Sequence, residues 1–147
     1  MKKKTLAFFA LVLVALTALF ALVGCNDEGS DKVKAKAVYT TETAVVLKVT
    51  ETDGKATLED AMKSAKEEGG FTYDGEDSTY GLMITAINGK TAEGTYYWAC
   101  YTTDKDNADT ATKMTVDGVD YYYALAGAST LKVKTGASYL FVYLSWA

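Results

Sequence analysis

The chain has 147 residues, enough for one domain, with 15 Lys, no Arg and 19 acidic residues, a net charge of −4. An acidic chain without Arg is a poor partner for nucleic acid, because phosphate contacts need clustered cations. It has no His, which excludes Ser-His-Asp and Cys-His catalysis and metal sites built on Cys and His.

Lys2, Lys3 and Lys4 precede an uncharged apolar run from Leu6 to Val23, and Gly24-Cys25 closes it before the polar Asn26-Asp27-Glu28. These are the parts of a secretory signal. The run approaches the roughly 20 residues that a spanning helix needs, so an uncleaved membrane anchor is the competing reading. Leu22-Val23-Gly24-Cys25 decides between them. It looks like the lipobox of bacterial lipoproteins, whose Cys takes a diacylglyceryl group and becomes the new N-terminus. Residues 1–24 are then a signal peptide, 25–36 a flexible tether lipidated on Cys25, and 37–147 the domain. The expected location is the extracytoplasmic face of the cell membrane, lipid-anchored. The mature chain sets 12 Lys against 19 acids, a net −7 that keeps an exported protein soluble. Cys100 is then its one free thiol, so no intramolecular disulfide can form.

Ala37 to Val49, rich in Val and Thr, reads as a strand interrupted near Glu42. Asp53-Gly54 is a turn signal. Thr57 and Asp60 form a capping box, and Leu58, Ala61, Met62 and Ala65 make one helical face. Gly69-Gly70 stops that helix. Strands follow at Tyr80 to Ile87, with Asn88-Gly89 as the turn, and at Thr95 to Thr103. Asp104 to Asp109 is a charged loop. Thr112 to Val116 pairs with Val119 to Leu125 across Asp117-Gly118. Leu131 to Lys134 pairs with Tyr139 to Trp146 across Thr135-Gly136-Ala137. One helix and a set of strands over a single core is an α+β plan.

The titratable groups that remain are mostly carboxylates. Asp104, Asp106 and Asp109 space oxygens vaguely like a calcium loop, but the sixth-position Gly and the distal Glu are missing. A solvated loop explains them better, and no metal site is expected. Cys100 lies in an aromatic strand without a basic neighbour, which favours an inert buried thiol. No cofactor is expected, and the chain does not read as an enzyme.

Aromatic residues are the most informative feature. The chain has eleven Tyr and two Trp, with clusters at Tyr96-Tyr97-Trp98, Tyr121-Tyr122-Tyr123 and Tyr139 to Trp146. Neighbours in a strand point to opposite faces, so a Tyr triplet cannot all be core. Phe141 and Trp146 are expected inside. Exposed rings such as Tyr97, Tyr101 and Tyr122 suit a flat ligand or a sugar.

The series Thr57-Leu58-Glu59-Asp60-Ala61-Met62, Tyr80 to Gly89, Tyr96-Tyr97-Trp98 and Leu131 to Gly136, closed by Tyr139 to Tyr143, resembles the transcobalamin-like C-terminal domain family of bacterial surface proteins. The likeness covers Val38 to Trp146, and Ile87-Asn88-Gly89 followed by Tyr97-Trp98 is its most telling part. Ala137 replaces the acid usual in the family's last turn. The resemblance implies a β-grasp-like α+β domain, with one helix packed on a mixed, mostly antiparallel sheet. It also implies a corrinoid as one candidate ligand, beside a glycan, with the turn at Asn88 reaching toward it. The helical domain that completes the vitamin carriers' site is missing from this chain. The expectation is a non-catalytic, membrane-tethered module for a small ligand. The alternative is an envelope lipoprotein that docks on a protein partner.

Overall fold

The computed structural model describes residues Lys32–Ala147. The signal segment, Cys25 and the start of the tether lie outside the described residues. The remainder of the expected tether does not hang free, because strand β1 spans Val33–Thr40. Val33 and Ala35 are buried while Lys34 and Lys36 are exposed. That period-two pattern is a half-buried strand, written with Lys on its outer face.

The interruption near Glu42 is a hairpin turn. Thr41 Oγ1 accepts from the N–H groups of Thr43 and Ala44, and β2 runs Ala44–Thr52. The register of β1 on β2 shifts at Lys34/Ala35, and the freed Ala35 N–H donates to Ser64 Oγ of the helix (3.1 Å). Helix α1 covers Leu58–Glu68 and carries the expected capping box between Thr57 and Asp60. Its inner face, Leu58, Ala61, Met62 and Ala65, is essentially inaccessible.

Two sheets follow. Strands β3 (Tyr73–Ser78), β4 (Gly81–Ile87) and β5 (Lys90–Thr91) form a small meander in the order β3-β4-β5. The β4–β5 turn holds Asn88 and Gly89 at φ 48° and 80°, as a tight hairpin needs. β3 escapes a reading by pattern because nearly all of it is exposed and acidic. The large sheet adds β6 (Tyr96–Thr102), β7 (Ala108–Val116), β8 (Val119–Ala124) and β9 (Ser138–Ser145), in the order β1-β2-β9-β6-β8-β7. Every strand pairing among the described residues is antiparallel, so the sheet is not mixed.

Leu131 to Lys134 is not a strand against β9. It docks on the helix start instead: Leu58 N–H donates to Leu131 O, Val133 N–H donates to Ala56 O, and Lys132 bridges Thr57. Glu59 N–H donates to Ala128 O. This segment thus meets the helix's first unpaired N–H groups, a demand that outweighs hairpin pairing.

The core has two layers. On the helix side Phe71, Ile87, Trp98, Tyr139 and Phe141 pack with the helix face. On the other side Val46, Ala99, Tyr101, Tyr121, Leu140 and Val142 pack beneath Met114 and Val116 of β7. Phe141 is fully buried, as expected. Trp146 is not core: it is 67% exposed, beyond the end of β9, with its ring tilted on Tyr97 (5.7 Å). Among the described residues no helix is long and apolar enough to cross a membrane. Residues Lys32–Ala147 form one compact unit that contains both core layers.

Truncating these two aromatics separates core from rim. Phe141→Ala is expected to cost about 3–5 kcal/mol in urea unfolding, whereas Trp146→Ala costs about 0.5 kcal/mol or less. Equal losses would contradict the two-layer description.

Candidate functional site

Strand β6 is only half matched on one side. β9 pairs with its whole length, but β8 reaches only Tyr101 and Thr102. The β9 register makes Thr95, Tyr97 and Ala99 the bonded residues, with Trp146 N–H donating to Thr95 O (3.2 Å). Alternation turns the N–H and C=O of Trp98 the other way, where no strand meets them. β4 lies across this gap with an edge of its own, since β5 pairs only with Ala86 and Ile87.

The gap is a cleft of about 650 Å³. Leu82, Ile84 and Ala124 line it beside Trp98, and Tyr96, Tyr97, Tyr123, Leu125 and Trp146 also face it. None of the lining residues carries a charge at neutral pH. Among the described residues, five of the nine exposed large apolar side chains gather here: Met83, Tyr96, Tyr123, Leu125 and Trp146. Such grouping distinguishes a binding surface from scattered exposed hydrophobics.

The walls are fixed by specific bonds. Trp98 Nε1 donates to Lys90 O and Tyr143 Oη to Thr91 O, each at 2.9 Å, which clamps β5 onto the aromatic wall. Trp98 and Tyr143 lie 5.2 Å apart, and Tyr96 stacks on Tyr143 at 5.0 Å. At the other end Ser129 Oγ accepts from Leu82 N–H (2.8 Å) and donates to Glu59 Oε2 (3.0 Å). That junction joins β4, the loop after β8 and the helix start. Gly81 permits it: φ is +97°, and a Cβ there would stand 2.9 Å from Ser129.

Of the expected ligand contacts, only Tyr97 faces the cleft. Tyr101 is 7% exposed, inside the second core layer and edge-on to Tyr123 (5.5 Å). It is core because β7 and β8 cover that face of β6. Tyr122 lies on the opposite side of β8 from Tyr121 and Tyr123, beneath Lys105 Nζ (5.1 Å), and takes no part in the cleft. Asn88 is a turn residue: its Oδ1 accepts from Thr72 N–H (2.8 Å), and it borders a separate depression beside Thr40 and Thr41. The Tyr triplet is indeed split, with Tyr121 buried, Tyr122 half-buried and Tyr123 exposed. Sequence reasoning missed Leu82, Met83 and Leu125. Their signal is apolar residues beside Gly81 and Gly127, but nothing local says that these two segments meet.

The Asp104–Asp109 loop already holds a cation. Lys134 Nζ donates to Asp104 Oδ1 (2.9 Å) and Asp106 Oδ2 (2.7 Å), while Asn107 Nδ2 donates to Asp104 Oδ2 (2.6 Å). Burial alone would raise the Asp104 carboxyl, whose side chain is 5% exposed. The Lys134, Asn107 and Asp106 N–H bonds together outweigh that and hold it below its ordinary value. Among the described residues no group of three or more Cys, Asp and Glu could hold a metal. Cys100 borders the cleft, and burial pushes its thiol up to about 12. No model of a known protein family matches this chain, and no curated protein matches it either.

Asp104→Ala is expected to destabilise the domain by about 1–3 kcal/mol at pH 7. The sign of the pH effect follows from the lowered carboxyl. Its contribution is complete above the unfolded value of about 4 and disappears as pH falls through the folded value. Urea midpoints of variant and parent should therefore converge in acid, and a constant gap down to pH 2 would refute the assignment. For Cys100, iodoacetamide at pH 8 should label the native domain about a hundredfold slower than the urea-unfolded chain. Similar rates would mean the thiol is neither buried nor raised.

Proposed function

We propose that this chain is a non-catalytic binding module, held by a lipid on Cys25 at the outer face of the cell membrane, that takes a small ligand in the β4–β6 cleft. The observation that carries this reading is the gathering of Met83, Tyr96, Tyr123, Leu125 and Trp146 around one charge-free cavity. Apolar walls with a few fixed polar groups are the usual make-up of a small-ligand site. Here the polar groups are the unmatched N–H and C=O of Trp98. The candidate ligands are a corrinoid, following the resemblance to the transcobalamin-like C-terminal domain family, and a glycan, following the half-buried ring of Tyr97 and the exposed ring of Trp146 at the cleft. On the fold, the finer reading is a β-grasp-like domain, supported by one helix laid across a sheet.

No carboxylate or ammonium lines the cleft, and the Cys100 thiol stays protonated near neutral pH. A general acid or base matched to neutral pH is therefore missing from the cleft. The second reading is an envelope lipoprotein docked on a protein partner. It draws on the open edge of β6, to which a partner's strand could add.

Calorimetric titration of Lys32–Ala147 with a corrinoid and then with glycans tests the first reading. The expected dissociation constant is about 1 µM or tighter, weakened at least about tenfold by Tyr97→Ala or Trp146→Ala. No heat up to about 1 mM from either class would overturn it. Stoichiometric capture of a membrane protein by the full chain would then favour docking.

A further inference from the structure

The cleft does not end at Tyr96. That ring, half exposed, is also a wall of a second, more open depression, whose other members include Thr43, Lys90, Glu93, Thr95 and Tyr143. The two hollows therefore meet across one side chain and differ sharply in chemistry. The first is apolar and uncharged. The second offers hydroxyls, one ammonium and one carboxylate around a pair of stacked aromatic rings.

The polar end is built rather than incidental. The Tyr96 and Tyr143 rings stack nearly parallel, 8° apart with centroids at 5.0 Å, and Lys90 Nζ sits 4.7 Å over the Tyr143 ring. The backbone of Lys90 and Thr91 is fixed by the Trp98 indole and the Tyr143 hydroxyl. Neither Lys90 nor Glu93 forms an ion pair among the described residues. The outer face of Tyr96, flanked by an ammonium and a carboxylate without ion-pair partners and by threonine hydroxyls, is what a sugar ring requires: apolar C–H faces stack while hydroxyls both give and accept hydrogen bonds. One charge of each sign fits a neutral head better than an anionic or cationic one.

We infer that the ligand is an amphiphile with a neutral sugar head and one alkyl or acyl chain: the chain lies in the β4–β6 cleft, and the head crosses Tyr96 to rest against Tyr143, Lys90 and Glu93. This rests on the cleft being a ligand site, as proposed above, and it narrows the glycan candidate to a glycolipid. Tyr96 is the junction, because it touches both halves of such a molecule. Leu125, 67% exposed, lines the cleft that would take the chain.

The test uses Lys32–Ala147, the compact unit that holds both hollows, with octyl glucoside kept below its micelle concentration as the probe. Glucose and 1-octanol represent the two halves. Calorimetry should show the glucoside binding at least about tenfold more tightly than either half. Glu93→Gln and Lys90→Met should weaken the glucoside and leave 1-octanol unchanged. Leu125→Asp should weaken both the glucoside and 1-octanol, with circular dichroism confirming that every variant folds. If 1-octanol binds as tightly as the glucoside and the Glu93 and Lys90 variants match the parent, the sugar subsite is wrong while the cleft stands. If glucose alone equals the glucoside, the chain does not use the cleft and the inference falls. If none of the three binds up to about 1 mM, the inference falls too, and the corrinoid titration decides separately whether the cleft is a site at all.

Discussion

Strand β9 must be covered on both faces. Tyr139, Leu140 and Phe141 are each inaccessible to solvent, although neighbours in a strand point in opposite directions. A helix can cover one side only. α1 takes Tyr139 and Phe141, and the β7–β8 hairpin folds its Met114, Val116 and Tyr121 over Leu140 and Val142. Burying three such side chains is worth about 2 kcal/mol each, so this strand anchors both layers.

The open edge of β6 follows from that demand. To cover the second face, β7 and β8 must bend away from the plane of the sheet. The register between them jumps from Asp109/Tyr123 to Lys113/Tyr122, four residues against one. A jump of that kind bends and twists a strand pair. β8 therefore keeps only Tyr101 and Thr102 of β6 as partners, and Trp98 loses its neighbour. The small sheet approaches the vacated edge but pairs with nothing there. The cleft is thus a by-product of how the second core layer closes. Its rings are exposed because the strand that would have covered them is engaged elsewhere.

Local chemistry was legible in the sequence, and long-range partnership was not. The capping box at Thr57 and Asp60, the turns at Asn88-Gly89 and Asp117-Gly118, and the alternating faces of β6 each depend on neighbours within a few residues. Val33 to Lys36 read as tether because its Lys residues dominate the composition, although the alternation beneath them is that of a strand. Leu131 to Lys134 has the look of a hairpin arm, but α1 needed acceptors for its first N–H groups and claimed that segment. Tyr101 and Tyr97 are four residues apart on one face of one strand, so pattern gives them the same role. Only the cover from β7 and β8 makes one core and leaves the other at the rim.

The same logic explains why the acidic residues misdirect. Asp104, Asp106 and Asp109 resemble a cation loop along the chain, yet Lys134, some thirty residues on, brings the counter-charge. That ion cluster stands outside the cleft, and the carboxylates of β3 lie on the edge of β4 away from β6. Charge in this domain is thus segregated from its aromatic cavity. The exception is the single passage over Tyr96, where Lys90 and Glu93 stand at the end of an otherwise uncharged trough. A wholly apolar ligand has no use for those two groups, and a wholly polar one has no use for Leu82, Ile84 and Leu125. A molecule that satisfies both ends carries one part of each kind.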